Sequence, residues 1–382
     1  MRDDALHTEG QDWGSDCCVD APFPAVGKWA AFCCSRRSFL GWGAAFGAAA
    51  ALGSASAQNV AASRFPVADV HSHMGLFGPT RSSTFSPDRF MAAGHVKLVA
   101  WKWVPDLKLV RRGSDGRLLP ASSPNVEELW AFTESGLKDM RDSATLAQLT
   151  VVRQKSDIDS AEAGQAAVVL ASEGCDFADD GLSRIDAVHA MGVRHLQLVH
   201  YTPNPFADIQ SRPILHNGIT AKGLELIARC NRLGILVDVA HMTPSAAMVA
   251  AERSERPVIW SHSALRAGMN IAGPTDRLLP LETAKAIAAR GGVVGLWGFN
   301  ATARHSLSGY VQLVRETIDL LGEDHVAFGT DLSGLSNWAI IHHYGDLAEV
   351  MDRLVQAGLQ ESTLRKLAFD NYARVLKAAL ST

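Results

Sequence analysis

The sequence predicts a (β/α)8 barrel, and three observations carry that prediction. Eight short apolar, β-rich runs, at 65–71, 96–101, 166–173, 193–200, 234–241, 257–262, 293–297 and 326–331, alternate with stretches of helical periodicity. That is the pattern of parallel strands joined by crossover helices. Six of the eight runs close on an imidazole or a carboxylate, at His71, Glu173, His200, His241, His262 and Asp331, and barrels of this class build their sites at the carboxyl ends of their strands. From about residue 58 onward the chain also has the length of one such barrel.

Taken in order, residues 1–34 carry no convincing period and read as a disordered leader or an over-long start. Ser35-Arg36-Arg37-Ser38-Phe39-Leu40-Gly41 then precedes a mildly apolar run rich in Gly and Ala, which ends at Ala55-Ser56-Ala57. This resembles a twin-arginine export signal with a small-residue cleavage site. The run at 39–52 is too short and too rich in glycine for a stable membrane span, and no cysteine stands at the cleavage site to take a lipid. The expected organisation is a leader with a signal peptide at 1–57 and a hydrolase barrel at 58–382, with a periplasmic or secreted mature protein.

The first strand carries Asp69-Val70-His71-Ser72-His73, where alternation puts the three polar side chains on one face. After it, the region 75–160 is the least regular of the chain. Its tryptophans, Trp101, Trp103 and Trp130, fit either a lid over the barrel mouth or ordinary core. The third strand ends in Ser172-Glu173-Gly174 and the fourth in His200. Between Gly234 and His262, two β-rich runs each end in a histidine, with room between them for one helix. They read as neighbouring parallel strands that bring His241 and His262 together. Helices are expected at 181–191, 221–233, 245–255, 281–289, 310–321 and 347–357, with one or two more at 361–379 packing outside. His189, His195, His216, His342 and His343 are assigned to helices or loops, in solvated or capping roles.

Composition narrows the chemistry. A net charge of -4 shows no basic excess, so nucleic acid and anionic membrane surfaces are not expected partners and a small molecule is. Of six cysteines only Cys175 and Cys230 fall beyond residue 57, which is neither a disulfide framework nor a zinc ribbon. Buried charges must be paired or bind metal. The ordered series His-x-His, Glu, His, His, Asp on successive strand ends suits zinc or a similar divalent ion in a metal-dependent hydrolase.

Longer stretches make a resemblance specific. Ser172-Glu173-Gly174, the run from Gly192 to Asn204 with Ala207-Asp208, Val237-Asp238-Val239-Ala240-His241, Pro257 to Ser263, His325 to Asp331 and Asp370 to Val375 resemble the membrane (renal) dipeptidase family, a branch of the amidohydrolase barrels. The resemblance implies two zinc ions at the barrel mouth, with His71 on the first, Glu173 bridging, and His241 and His262 on the second. His200 would contact substrate and Asp331 would act as acid/base, around a metal-activated hydroxide that cleaves a dipeptide. Asp69 is expected to orient a histidine ring, and a homodimer is compatible with the family.

Two positions depart from the family pattern. The first strand is usually D-x-H-x-D, whereas this chain has His73 in the last place, which is expected to ligate the first metal. Gly273 stands where an arginine usually contacts the substrate carboxylate, so Arg266 or Arg277 is expected to take that role. These departures leave room for an exported amidohydrolase acting on another small amide, ester or lactone. A silent binding barrel is the reading from another class, and the complete ligand series argues against it.

Overall fold

The computed structural model describes residues 65–76, 85–112, 118–120, 125–178, 181–266, 277–298, 306–335 and 339–380. The leader and signal at 1–57, and Gly273, lie outside them. Eight parallel strands close into a barrel: β1 (Val67–Ser72), β2 (Val96–Trp103), β3 (Ala167–Glu173), β4 (Val193–Gln197), β5 (Leu236–Asp238), β6 (Ile259–Ser263), β7 (Val293–Leu296) and β8 (Val326–Phe328). β2 pairs with β3 and β8 with β1, which completes the ring. All eight expected strands are present. Several are shorter than expected at their carboxyl ends, because pairing stops before His200, His241 and Asp331. His241 and Asp331 then adopt positive φ, 68° and 54°. Such a left-handed bend in a non-glycine residue costs roughly 1–3 kcal/mol and tends to mark functional positions.

The helices follow the expected order. α1 (Pro87–Ala92), α2 (Val126–Leu146) and α3 (Lys155–Glu162) lie between β1 and β3; α4 (Ser183–Met191), α5 (Ala221–Leu233), α6 (Pro244–Arg253), α7 (Leu281–Ala289), α8 (Leu307–Leu321) and α9 (Tyr344–Gln356) follow one by one. Their starts are fixed locally. Asn125 accepts from Glu127 N and Glu128 N at the head of α2, and Thr243 accepts from Ala246 N just before Pro244 opens α6. Gly234 at φ 76° ends α5 and turns the chain into β5. Among the described residues, no helix is long and apolar enough to cross a membrane.

Among the described residues of 75–160, the tryptophans pack into the core. α2 packs on β2, β3 and α4, Trp101 is buried and donates from Nε1 to Met74 O at 2.8 Å, and Trp103 and Trp130 meet Phe132 and Phe177. The tail differs from expectation. α10 (Glu361–Arg365), a π-helical turn (Lys366–Asp370) and α11 (Asn371–Ala379) do not sit on the outer wall. Phe369, Tyr372, Val375 and Leu376 share one buried cluster with Ala68, Val70, Leu98, Ala100, Val169 and Ala171, alternate residues of the barrel strands. Asn371 donates to Glu323 O and Val326 O at the start of β8. The tail therefore plugs the amino-terminal floor, because small strand residues leave a space that its aromatic side chains fill.

Candidate metal centre and active site

At the opposite end of the barrel, seven side chains at or just beyond the strand ends converge. His71, His73 and Glu173 form one group of buried ligand atoms, and Glu173, His241 and His262 form another, with the atoms of each group within 4.8 Å of one another. Glu173 belongs to both. Its Oε2 lies 3.1 Å from His73 Nε2, and its Oε1 lies 3.2 Å from His241 Nε2, 3.4 Å from His262 Nε2 and 3.6 Å from His71 Nε2. Asp331 Oδ1 stands 3.4 Å from His73 Nε2, and His200 Nε2 stands 3.5 Å from Glu173 Oε1.

Hydrogen bonds behind His71, His73 and His262 hold their Nε2 atoms inward. His73 Nδ1 donates to Lys102 O at 3.0 Å, since a carbonyl can only accept. For His262 the assignment is forced from the other side. Arg277 Nη2 donates to His262 Nε2 at 2.9 Å, so the ring proton is on Nδ1 and goes to Ser261 Oγ at 3.0 Å. The same Oγ lies 2.9 Å from His71 Nδ1. One hydroxyl thus holds an imidazole from each ligand group.

The electrostatics favour a cation. Burial works against a charged His73, but the adjoining carboxylates of Asp331 and Glu173 more than offset it and push its pKa up to about 10. Burial would raise Glu173, yet His200, His71 and His241 hold it well below the usual carboxylate range. His241 and His262 go down, first through burial and then through Arg277 and the neighbouring imidazoles, and stay neutral as ligation requires. Neutral imidazoles at His241 and His262 beside a shared carboxylate, with the outer nitrogens of His71, His73 and His262 tied down, fit a divalent metal.

One expectation is overturned at β1. Asp69 orients no histidine ring: it accepts from Thr330 N at 3.0 Å, Thr330 Oγ1 at 2.5 Å, Tyr344 OH at 3.0 Å and the backbone N of His71 at 3.2 Å. Pairing of β1 with β2 shifts register between Asp69 and Ser72, so the three polar residues do not share one face. Asp69 ties β1 to the end of β8 and to α9 instead. Of the two arginines, Arg277 enters the site, buried between Tyr201 and Trp297 with Nη1 on Gln210 Oε1 at 2.8 Å. Arg266 is exposed on the short strand Leu265–Arg266.

His195 also departs from its assignment. It lies on β4, wholly buried, with Nε2 3.3 Å from Asp238 Oδ2 and Nδ1 3.1 Å from Tyr372 OH. Burial, then the Lys102 charge, lower it to about 4. His343, by contrast, does cap α9. Two buried carboxylates were not singled out from the sequence. Asp106 Oδ1 lies 2.6 Å from His200 Nδ1, and Asp176 is pushed well above the usual range by burial and by Asp106.

Known proteins resemble this chain. A family model for the membrane dipeptidases matches residues 126–382. The chain is 31% identical over 212 residues to an uncharacterized protein in the pqqA 5′ region of Klebsiella pneumoniae, covering 52% of this chain and 77% of that one. It is 25% identical over 221 residues to dipeptidase tcpJ of Claviceps purpurea, covering 56% of this chain and 51% of that one, so it spans about half of that relative's length. A metallopeptidase structure from Rhodobacter sphaeroides, liganded with a phosphinate mimic of the dipeptide L-Ala-D-Ala, superposes with a TM-score of 0.69 at 22% identity over 82% of this chain and 99% of that one. A match that takes in well over half of the chain, on a barrel whose strand ends gather two ligand groups around one glutamate, decides the assignment: the chain belongs to the membrane dipeptidase family, peptidase family M19.

Proposed function

We propose that this chain hydrolyses the amide bond of small dipeptides with two divalent zinc-type metal ions, which Glu173 would bridge. The observation that carries this reading is the pair of three-residue ligand groups that share Glu173. Such ions, when bound, polarise a scissile carbonyl and lower the pKa of a water. His71 and His73 would hold one, His241 and His262 the other. Asp331, beside the first group, delivers a proton to the departing amine. His200 directs Nε2 at the carbonyl oxygen and stabilises the charge that develops there.

Arg277 is the residue we assign to the substrate carboxylate in place of the family arginine. Its Nη2 engages the lone pair that His262 would offer to a metal, and a metal bound there would free that N–H for substrate. A guanidinium suits a carboxylate because its fork matches both oxygens. We also read residues 35–57 as a twin-arginine export signal and the mature protein as periplasmic or secreted. Ser35-Arg36-Arg37-Ser38-Phe39-Leu40 supports that reading.

Metal analysis of the purified protein, followed by a panel of dipeptides, blocked amides and lactones, tests the proposal. About two equivalents of metal and turnover of unblocked dipeptides are expected. Turnover of lactones or blocked amides alone would replace the dipeptide reading with that of another amidohydrolase.

A further inference from the structure

Gln210 lies in the loop that follows β4, and two strand ends that carry ligand histidines fix it against Arg277. Its backbone N donates to His241 O at 2.8 Å, and beside it Ile209 bridges Met242, so the loop runs along the end of β5. Arg277 is tied to the end of β6, where Ser263 Oγ donates to its carbonyl at 2.9 Å. Between these anchors, Gln210 Oε1 accepts from Arg277 Nη1 at 2.8 Å. An arginine only donates, so the amide oxygen of Gln210 faces it. The rest of the guanidinium is used unequally. Tyr201 and Trp297 flank it, their ring centroids 6.0 Å and 5.5 Å from Cζ. Nη2 donates to His262 Nε2, the atom a metal would claim. Nε is buried and has no hydrogen-bond partner among the described residues. A buried donor without an acceptor is costly, so Nε marks a place for one. Nε–H and one Nη2–H run parallel, and as a pair they match the two oxygens of a carboxylate.

We propose that Gln210 is a specificity-determining residue: by holding Nη1 it presents the Nε/Nη2 edge of Arg277 to the free carboxylate of a dipeptide, and so sets the preference for the acid over its amide. The inference rests on the reading above that Arg277 meets the substrate carboxylate. Without the Gln210 acceptor the guanidinium can rotate, and its fork loses its aim while its charge stays. A carboxamide offers one acceptor oxygen and no charge, so its binding does not depend on that aim.

The test uses the metal-loaded protein and a phosphinate mimic of L-Ala-D-Ala, compared by calorimetry with the same mimic bearing a C-terminal amide. The parent should bind the acid at least about 10-fold more tightly than the amide, as a charge-assisted fork implies. Gln210→Met, close in volume, should weaken the acid by about 5- to 50-fold, the worth of a hydrogen bond to a charged group. It should change the amide by less than about 3-fold, with metal content and thermal midpoint kept. Gln210→Ala removes the same acceptor without the bulk of methionine and should give the same selective loss. In an Arg277→Met background, Gln210→Met should change acid binding by less than about 3-fold, because residues acting through one another are not additive. With a dipeptide as substrate, the loss should fall on KM more than on kcat, the mark of binding lost alike in ground and transition states. Equal losses for acid and amide, or losses that add to that of Arg277→Met, would overturn the role of Gln210 and leave that of Arg277 standing. A parent that binds acid and amide alike, or neither, would overturn the carboxylate reading of Arg277 and the proposal with it.

Discussion

Ser261 Oγ sits between the outer nitrogens of His71 and His262, 2.9 Å and 3.0 Å away. Losing it should loosen a ligand in each group at once. Ser261→Ala is expected to weaken metal binding by about 10- to 100-fold, the usual range for such supporting contacts, with the fold intact. Competition against a chelator would measure this, and an unchanged affinity would mean that packing alone holds the two rings. His73 lies in the same cluster. It replaces the family's carboxylate, and its Nε2 points at Glu173 Oε2 and Asp331 Oδ1. His73→Asp should keep two metals and activity, whereas His73→Ala should lose one metal preferentially. Full metal occupancy in the alanine variant, read by elemental analysis, would remove His73 from the ligand set.

At the scale of elements, the strand ends were legible because each polar residue closes an apolar run, a local signal. What the sequence did not reveal depends on partners far apart in the chain. Asp106 contacts a histidine 94 residues away, and Asp69 left its expected face through a register shift that no local pattern marks. Lys102 is the plainest example. It interrupts an apolar strand, yet it is fully buried inside the barrel with Nζ 2.7 Å from Asp238 Oδ2, joining β2 to β5. Asp238 also accepts from Ser261 N at 3.2 Å, so this pair supports the strand that carries His262. Burial would raise the Asp238 carboxyl, but the Lys102 charge and His195 hold it far below the ordinary range. Lys102→Met should cost about 3–5 kcal/mol by leaving a buried charge unpaired, and adding Asp238→Asn should recover much of it. The sign of the pH effect follows. A depressed carboxyl contributes its full stabilisation above the unfolded pKa of about 4 and loses it as pH falls toward the lower folded value. The stability gap between parent and Lys102→Met should therefore narrow below about pH 4 in chemical denaturation. A gap that stays constant down to acid pH would show that Asp238 is not the group left stranded.

For the molecule as a whole, one end of the barrel gathers the candidate metal ligands and the other is closed by its own tail. Ending the chain at residue 360 would remove Phe369, Tyr372, Val375 and Leu376 from the inner cluster, and with them the Tyr372 OH contact to His195. Such a variant should bind a hydrophobic dye and lose cooperative unfolding. Cooperative, dye-free behaviour would mean that the barrel holds its shape without a floor.

The same plug sets a clock on synthesis. The ring of strands is translated by Phe328, but its interior stays open to water until the segment reaching Ala379 has been made and has docked. The barrel should thus gain protease resistance only after that segment leaves the ribosome, as stalled chains of graded length would reveal. For a protein exported folded, as proposed here, completion of the floor becomes the step that precedes passage.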